Sequence, residues 1–535
     1  MEEEKTGKAT IKARKPRTAA ARKKLETVLV TGGAGCVGSF VVQELLKLGF
    51  KVRVADRPGA NFPEVDKKYA QRFETREGDI RDRDFLAACV QGVDRIIHTA
   101  ANLDLSLSLE EIKPINTDPV ITIYEAAVKG KVKSMVHFSS CAVYKFAPGV
   151  ITEDMPVEAT NNYEQSKILA DEYLAQGIKK HKLPVVTIVR PGLIFGPKGR
   201  ALAHNYALLP PIFGMISNRM LGLSGGPKSN YVHALDMARA AVFLLQKNQN
   251  SGEIFNVAMD DAKAVSEVFN IACETYGLKL TRPFLPFPQT LIKRYYSVIS
   301  RPEVMKNVTR MLGYWWEALV KKYDLQAELY PKLDAEFLVF GINEAVYSNR
   351  KLKDKGFVFT FPDFESGWKN TIEWYQENRW MPELSEQKLL TKIGFKFQET
   401  MSGSITLERD GERQAKFSLT AEAREIQEFA RDNICRVKGV ISVEGIASER
   451  PVEGTIEVAF WPPKRKMVYD LSWTGDDGQK YRICGIKRIG YLNFITTMTT
   501  LHTSLYRGEE LIGKGKIYFP RTDIPKLILS FRPVI

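Results

Sequence analysis

The chain has 535 residues, more than one ordinary hydrophobic core accommodates, so two or three domains are expected. Hydrophobic residues make up 44% and charged residues 26% of the chain, which is typical of soluble globular proteins. There is no run of about 18 apolar residues, so the sequence predicts no membrane-spanning helix. The six cysteines have neither paired nor metal-ligand spacing, which predicts a reduced, cytoplasmic compartment and no metal site.

The formal net charge of +14 owes much to residues 1–25, which carry nine lysines and arginines against three glutamates. This segment has almost nothing to bury, so it is expected to be a disordered basic tail. A solubilising extension is the simpler interpretation. An electrostatic arm for anionic lipid or nucleic acid is the alternative, although no nucleic-acid partner is expected for the protein.

A glycine-rich turn follows the first apolar segment. Residues 27–30 predict a buried strand and residues 39–49 predict a helix, and between them Gly32, Gly35 and Gly38 recur at every third position. Such a turn lets backbone N–H groups approach a pyrophosphate at the start of a helix. The first glycine interval is one residue wider than in the usual dinucleotide-binding pattern.

The second predicted strand, residues 51–55, ends at Asp56 and Arg57. An acidic residue about 20 positions after such glycines binds the ribose hydroxyls of a dinucleotide. Its charge repels a 2′-phosphate, so NAD is predicted. Arg57 could bind that phosphate instead, which leaves NADP as the alternative.

Strands and helices alternate through residues 51–138, which predicts a parallel, doubly wound sheet. The strand at 93–101 ends in Ala100 and Ala101, whose small side chains leave room for a cofactor at the strand end. His98 in that strand is expected to bond to backbone rather than to take part in catalysis.

Three polar residues follow the next strand. Ser140 lies two residues after the strand that ends at residue 138, and Tyr163 and Lys167 open a later helix. Residues four apart lie on one face of a helix, so the polar ends of Tyr163 and Lys167 can converge on one site.

Together these segments resemble the extended short-chain dehydrogenase/reductase family, which includes NAD-dependent epimerases and dehydratases, over about residues 26–380. The matching motifs are Thr31-Gly32-x-x-Gly35-x-x-Gly38, Gly78-Asp79-Ile80, His98-Thr99-Ala100-Ala101, Ser139-Ser140-x-x-Val143-Tyr144, Tyr163-x-x-x-Lys167, Arg190-Pro191 with Gly196-Pro197, and residues 231–238. Two positions depart from the family. Cys36 replaces an aromatic or long apolar residue, and Lys145 replaces a glycine.

The resemblance implies a role for each of the three polar residues. Tyr163 would be the acid/base, Lys167 the cation that favours its phenolate, and Ser140 the hydroxyl that binds the substrate oxygen. Asn116 would have a structural role. The resemblance also implies a set of NAD contacts: Gly32, Gly35, Cys36, Val37, Gly38, Asp56, Arg57, Asp79, Ile80, Ala100, Ala101, Tyr163, Lys167 and Pro191.

The substrate depends on the region after Phe284. Residues 284–299 combine apolar, aromatic and basic side chains and look like the apolar, membrane-leaning insert of the 3β-hydroxysteroid dehydrogenase branch. The expected activity is hydride transfer between NAD(P) and a secondary alcohol or ketone of a sterol-like molecule, by a homodimer attached peripherally to a membrane. A nucleotide-sugar epimerase or dehydratase is one alternative. A non-catalytic dinucleotide sensor or scaffold is another, against which the intact Ser140, Tyr163 and Lys167 argue.

A second domain is predicted from period-two runs at 395–397, 404–407, 440–443, 454–460, 466–473, 480–486 and 514–519. The expected architecture is an α/β dehydrogenase domain at 26–382, with its substrate part at about 190–330, and a separate, mainly antiparallel β domain at 386–535. Turns at 409–411 and 475–478 predict hairpins, and one helix is predicted near 421–433. Binding of an apolar ligand, dimer contact and membrane docking all remain open for this domain.

Overall fold

A computed structural model describes residues 25–145, 149–200, 204–215, 217–332, 338–339, 341–383, 394–459, 465–488, 494–523, 526–527 and 530–534. Apart from Leu25, the predicted basic tail lies outside these ranges. None of the helices in the described ranges has the length and apolar content needed to cross a membrane.

A parallel sheet forms the centre of the first domain. The strands before residue 350 are β1 (Thr27–Thr31), β2 (Lys51–Asp56), β3 (Phe73–Glu77), β4 (Arg95–His98), β5 (Ser134–Phe138), β6 (Val150–Ile151), β7 (Val185–Pro191), β8 (Leu193–Phe195), β9 (Arg219–Ser224), β10 (Lys228–Ser229), β11 (Tyr231–His233), β12 (Glu253–Val257), β13 (Lys263–Ala264), β14 (Lys279–Pro286) and β15 (Val346–Tyr347). Seven of them form one sheet in the order β12-β7-β5-β4-β1-β2-β3, with every pair parallel. The predicted doubly wound Rossmann sheet is confirmed.

Helices cover both faces of this sheet. The helices before residue 380 are α1 (Cys36–Lys47), α2 (Arg83–Val90), α3 (Leu109–Asn116), α4 (Asp118–Lys129), α5 (Asn162–Lys180), α6 (His204–Gly214), α7 (Ala234–Lys247), α8 (Val265–Tyr276), α9 (Gln289–Ile299), α10 (Pro302–Tyr323), α11 (Arg350–Asp354) and α12 (Phe364–Glu377). Successive side chains of β1 point to opposite faces. Val28 and Val30 pack with α1 and α7, whereas Leu29 packs with α2, α4 and α5.

The order of strands reverses between β1 and β4, because the chain first adds strands on one side of β1 and then on the other. Ligands of open α/β sheets bind at such a reversal, outside the carboxyl ends of the strands. Beyond these ends lies a lobe built from α6, α8, α10 and α12. Its core is rich in aromatic side chains, including Trp316, Phe364, Trp368 and Tyr375.

The second domain is a closed antiparallel barrel. Its strands are β16 (Gly394–Leu407), β17 (Gly411–Ala423), β18 (Ile434–Val443), β19 (Ala447–Ala459), β20 (Lys466–Thr474), β21 (Lys480–Arg488), β22 (Thr500–Arg507) and β23 (Glu510–Tyr518). Each pairs with the next along the chain, and β23 pairs back with β16. Helices α13 (Ile426–Asp432) and α14 (Phe494–Thr499) lie in the connections, and β24 (Arg532–Val534) pairs with the start of β16.

The structure of the barrel differs from the sequence predictions in three respects. The runs at 395–397 and 404–407 belong to one strand, β16, and the predictions lacked β17 and β22. The helix predicted at 421–433 begins only at Ile426, because Ala421 and Ala423 are the last inward-facing residues of β17. Burial on an alternating face therefore overrides the helix preference of alanine.

A buried ion pair joins opposite walls of the barrel. Glu399 on β16 and Lys487 on β21 are both almost fully buried, and Lys487 Nζ lies 3.4 Å from Glu399 Oε2. Lys487 Nζ is also 2.7 Å from the hydroxyl oxygen of Tyr469 on β20. Because β16 lies four strands away from β20 in the barrel, this cluster crosses the interior.

Lys487→Met should destabilise the barrel by about 3–5 kcal/mol, because the Glu399 carboxyl would remain buried without its cationic partner. The double variant Glu399→Leu/Lys487→Met should recover most of this loss. Urea-induced unfolding of the full chain measures both. Arg482→Ala is the matched control: it breaks an exposed pair with Asp470 and should cost less than about 1 kcal/mol. Equal losses for Lys487→Met and Arg482→Ala would contradict the prediction.

Candidate active site

The glycine turn is held by direct backbone contacts. A Cβ atom on Gly38 would lie 2.0 Å from the carbonyl oxygen of Gly32, and one on Gly32 would lie 2.8 Å from the backbone nitrogen of Ala100. Gly32 also has a φ of +72°, which favours glycine. The turn leads directly into α1, which begins at Cys36 and includes Val37. These contacts leave the close backbone approach and the helix N-terminus that a pyrophosphate requires, so the residues present fit a dinucleotide.

Asp56 at the end of β2 binds the glycine turn itself. Its Oδ2 accepts the N–H of Ala34 at 2.9 Å, and its Oδ1 accepts the N–H of Arg57 at 2.9 Å. The Arg57 side chain is exposed to solvent. The carboxylate therefore lies where the second strand meets the turn, as the sequence predicted, and has a structural bond that the sequence did not indicate.

The remaining predicted contacts on this side lie in the loops after β3 and β4. The Arg81 guanidinium beside Asp79 lowers the pKa of that carboxyl to about 2, and Ile80 packs on the core below. Ala100 and Ala101 follow β4. The next residue, Asn102, donates its N–H to Asn116 at 2.7 Å, so Asn116 holds this loop.

His98 differs from its prediction. Its Nδ1 lies 2.6 Å from the Thr31 hydroxyl rather than from a backbone group, and its ring stacks on that of His137. The register explains the contact, because Thr31, His98 and His137 are Cα partners across β1, β4 and β5. Burial lowers the pKa of His98 to about 3, so it is neutral at physiological pH.

The structure brings Ser140, Tyr163 and Lys167 together. Tyr163 and Lys167 lie on the first turns of α5, with Lys167 Nζ 5.9 Å from the centre of the Tyr163 ring. Lys167 Nζ donates a 2.9 Å hydrogen bond to the carbonyl oxygen of Phe138, the last residue of β5. Ser140 follows two residues later; its Oγ accepts the N–H of Ala142 at 3.1 Å, and its side chain also interacts with Tyr163. Helix α5 and the end of β5 thus supply the whole group.

Burial dominates the electrostatics of this group. It raises the pKa of Tyr163 to about 12, and the hydrogen bond with Ser140 partly opposes this shift. It lowers the pKa of Lys167 to about 8, against the attraction of the Asp171 carboxylate. At pH 7 Tyr163 is therefore protonated and Lys167 is mostly charged. The proximity of the two side chains is as expected, but burial outweighs any lowering of the Tyr163 pKa by Lys167.

Sequence reasoning missed the groups beneath this site. Asp171 is buried, and its Oδ2 accepts hydrogen bonds from the hydroxyl of Ser139 at 2.8 Å and from Arg190 Nη2 at 2.9 Å. Ser139 and Arg190 belong to quoted motifs but had no predicted role. Asp171 lies four residues after Lys167, so its helical spacing was a usable signal.

The far side of the cofactor crevice is formed by β7 and the loop after it. Pro191 is the buried last residue of β7, beside the end of β5, because Ser139 donates its N–H to the carbonyl oxygen of Val189. Cys36 Sγ donates to the carbonyl oxygen of Pro197 at 3.2 Å, and burial raises the pKa of this thiol to about 12. Cys36 thus connects the glycine turn to this loop.

Comparison with known proteins identifies the family. Residues 28–258 match the model of the NAD dependent epimerase/dehydratase family. A UDP-N-acetyl-alpha-D-glucosaminuronate decarboxylase from Bacillus cytotoxicus is 30% identical in an alignment 256 residues long that covers 45% of this chain and 77% of the relative. The chain belongs to the NAD dependent epimerase/dehydratase family.

Other members are more distant. A UDP-glucose 4-epimerase from Neisseria meningitidis is 28% identical, over 48% of this chain and 84% of its own length. A mouse dTDP-D-glucose 4,6-dehydratase is 26% identical, over 49% and 77%. The crystal structure of gox2253 shares the fold, with a TM-score of 0.50 and 22% identity over 66% of this chain and 99% of that one.

Family membership confirms the predicted NAD cofactor, because the family is defined by its dependence on NAD. These comparisons support the family as a whole and not its 3β-hydroxysteroid dehydrogenase branch. The matched residues 28–258 lie within the first domain, so the match does not extend to the barrel.

Asp56→Asn separates the observed bond of this carboxylate to the glycine turn from its expected contact with the ribose. The amide oxygen can still accept the Ala34 N–H, but the charge that repels a 2′-phosphate is lost. NADP affinity should therefore rise about tenfold relative to NAD affinity, which corresponds to about 1.4 kcal/mol. Asp56→Ala also releases the turn and should weaken binding of both cofactors. Fluorescence titration measures both affinities, with the exposed Asp84→Asn as charge control. An unchanged affinity ratio in Asp56→Asn would exclude Asp56 as the ribose ligand.

Proposed function

We propose that the protein is an NAD-dependent epimerase or dehydratase that acts on a nucleotide-sugar. The observation that carries this proposal is the convergence of Ser140, Tyr163 and Lys167 at the carboxyl end of β5, in a chain of this family. The relatives named above are a decarboxylase, an epimerase and a dehydratase of nucleotide-sugars. Their substrate class is favoured here over the sterol that the sequence suggested.

The chain's own residues would handle the proton of a sugar hydroxyl. Ser140 Oγ donates a hydrogen bond to the substrate oxygen. Tyr163 first loses its own proton to solvent, and its phenolate oxygen then takes up the proton of the substrate hydroxyl. Lys167 Nζ keeps a positive charge beside the ring and stabilises the phenolate. The glycine turn would hold NAD, which would supply the hydride acceptor for the carbon that carries this oxygen. The product is a ketone, which can be reduced from either face or can lose a group from a neighbouring carbon.

Tyr163→Phe should lower turnover by about 100- to 10,000-fold, which is the contribution that general acid–base catalysis makes. NAD should still bind, with a loss of affinity below about tenfold, because the glycine turn is untouched and only one of the expected NAD contacts loses its hydroxyl. Wild-type protein is incubated with NAD and UDP-glucose, UDP-N-acetylglucosamine, UDP-glucuronate or dTDP-glucose, and products are separated by chromatography. A 3β-hydroxysteroid and a long-chain alcohol complete the panel.

Turnover of the sterol alone would replace the nucleotide-sugar proposal with the steroid one. Full activity of Tyr163→Phe would remove Tyr163 as the acid/base. Absence of turnover with all substrates, together with tight NAD binding, would favour the sensor.

We also propose that α9 attaches the protein to an anionic membrane surface. In α9 none of the side chains that the structure describes is buried, and Leu291 and Tyr295 are 58% and 44% exposed. The preceding strand leaves Phe284 and Leu285 exposed as well. Residues 279–301 contain five lysines and arginines and no acidic residue. An exposed apolar stripe with basic flanks is typical of interfacial helices.

Leu291→Glu/Tyr295→Glu should reduce binding to phosphatidylserine-rich vesicles by about tenfold or more, because each buried apolar side chain contributes about 1.5–3 kcal/mol. Vesicle sedimentation of the full chain measures this. Val358→Glu, at a site that is 73% exposed elsewhere in the first domain, is the matched control. Equal binding of both variants would assign any membrane affinity to another surface, such as the basic tail.

A further inference from the structure

We infer that Asp171 is a positioning residue for the proposed reaction: its carboxylate aligns Ser140 and Lys167 and keeps Lys167 charged. The inference rests on the proposed function, and it concerns the buried layer beneath the residues that would touch substrate. The side chains of that layer belong to α5, β4, β5 and β7.

Asp171 connects three elements of the site. It lies on α5, one helical turn after Lys167. Its Oδ2 accepts from the hydroxyl of Ser139, which follows β5, and from Arg190 on β7. Its Oδ1 lies 3.6 Å from His137 Nε2. The carboxylate therefore connects α5 with the end of β5 and with β7.

The contact with Ser139 places two functional groups at once. Ser139 lies between Phe138, whose carbonyl oxygen accepts from Lys167 Nζ, and Ser140, which interacts with Tyr163. A shift of Ser139 would therefore displace the acceptor of Lys167 and the substrate-binding hydroxyl together. A displacement of about 1 Å is enough to cost catalysis about 100-fold.

The charges around Lys167 make Asp171 its only anion among the groups that interact with it in the described structure. His98 on β4 and His137 on β5 face Lys167, and burial lowers the pKa of both, so both are neutral. Arg190 on β7 is a second buried cation. Tyr163 on α5 is protonated at pH 7. Without the carboxylate, two buried cations would remain with no counter-ion.

Loss of the Asp171 carboxylate should change the pH dependence of the reaction in one direction. The Asp171 carboxylate raises the pKa of Lys167, whereas burial lowers it to about 8. Asp171→Asn removes the raising contribution, so Lys167 becomes neutral at lower pH. The Tyr163 phenolate then lacks its cation at neutral pH, and its formation requires a higher pH. Lys167 and Tyr163 titrate as a coupled pair, so in Asp171→Asn the acid limb of the rate profile moves to higher pH.

The experiment is the pH profile of kcat and KM for the nucleotide-sugar turned over by the wild type. In Asp171→Asn the acid limb should rise by about one pH unit, with kcat about tenfold lower at pH 7 and KM nearly unchanged. Asp171→Glu keeps the charge but displaces Ser139, so it should lower kcat without moving the limb. Glu172→Gln changes the same charge at an exposed neighbour and should leave the profile as in the wild type.

A second measurement needs no turnover. The pH dependence of the NAD dissociation constant, followed by tryptophan fluorescence, should show a midpoint near 8 that belongs to Lys167. Lys167→Met should abolish this midpoint and Asp171→Asn should lower it. A wild type without turnover would end the proposed function but leave this titration as the test of Asp171. Unmoved midpoints and a pH-independent loss of kcat in Asp171→Asn would overturn the inference and leave a purely structural role.

Discussion

The close backbone contact inside the glycine turn determines where the rest of the first domain can lie. Gly38 has no room for a Cβ atom against the Gly32 carbonyl, and Gly32 has none against Ala100. The first contact sets the angle at which α1 leaves β1, and the second brings the loop after β4 against the turn. Asp56 then closes the third side through the Ala34 N–H. The cofactor crevice is thus bounded by three consecutive strand ends of the sheet.

The buried layer below that crevice has an unusual charge distribution. Two cations, Lys167 and Arg190, share one carboxylate, and two neutral histidines separate it from β1. A buried ion can be tolerated only if a counter-ion and hydrogen bonds compensate for the lost solvation. Here the compensation is minimal, because Asp171 Oδ1 has no hydrogen-bond donor among the described residues. Such a layer keeps the pKa values of the groups above it sensitive to small changes.

The sequence predicted the α/β domain well because its signals are local. β-Branched runs, the glycine turn and the Tyr163/Lys167 spacing each occupy a few consecutive residues. Local patterns could not predict contacts between residues that are distant in the sequence. His98 binds Thr31, 67 positions away, and Arg190 binds Asp171 from another element. Closure of the barrel was equally hidden, since β16 pairs with β23 more than 100 residues later. The proposed substrate class rests on family membership rather than on the exposed apolar segment, for which a surface role is proposed.

The loop after β8 also has a mechanical consequence. At one end Cys36 Sγ binds the Pro197 carbonyl, and at the other the Tyr375 hydroxyl donates to the Gly199 carbonyl at 2.8 Å. Arg200 then forms an ion pair with Glu328, beyond α10. Five residues, 196–200, are therefore tied both to the cofactor-binding helix and to the lobe. The lobe can move relative to the sheet only if residues 196–200 bend or one of these bonds breaks. Motion of the lobe is therefore coupled to the position of α1.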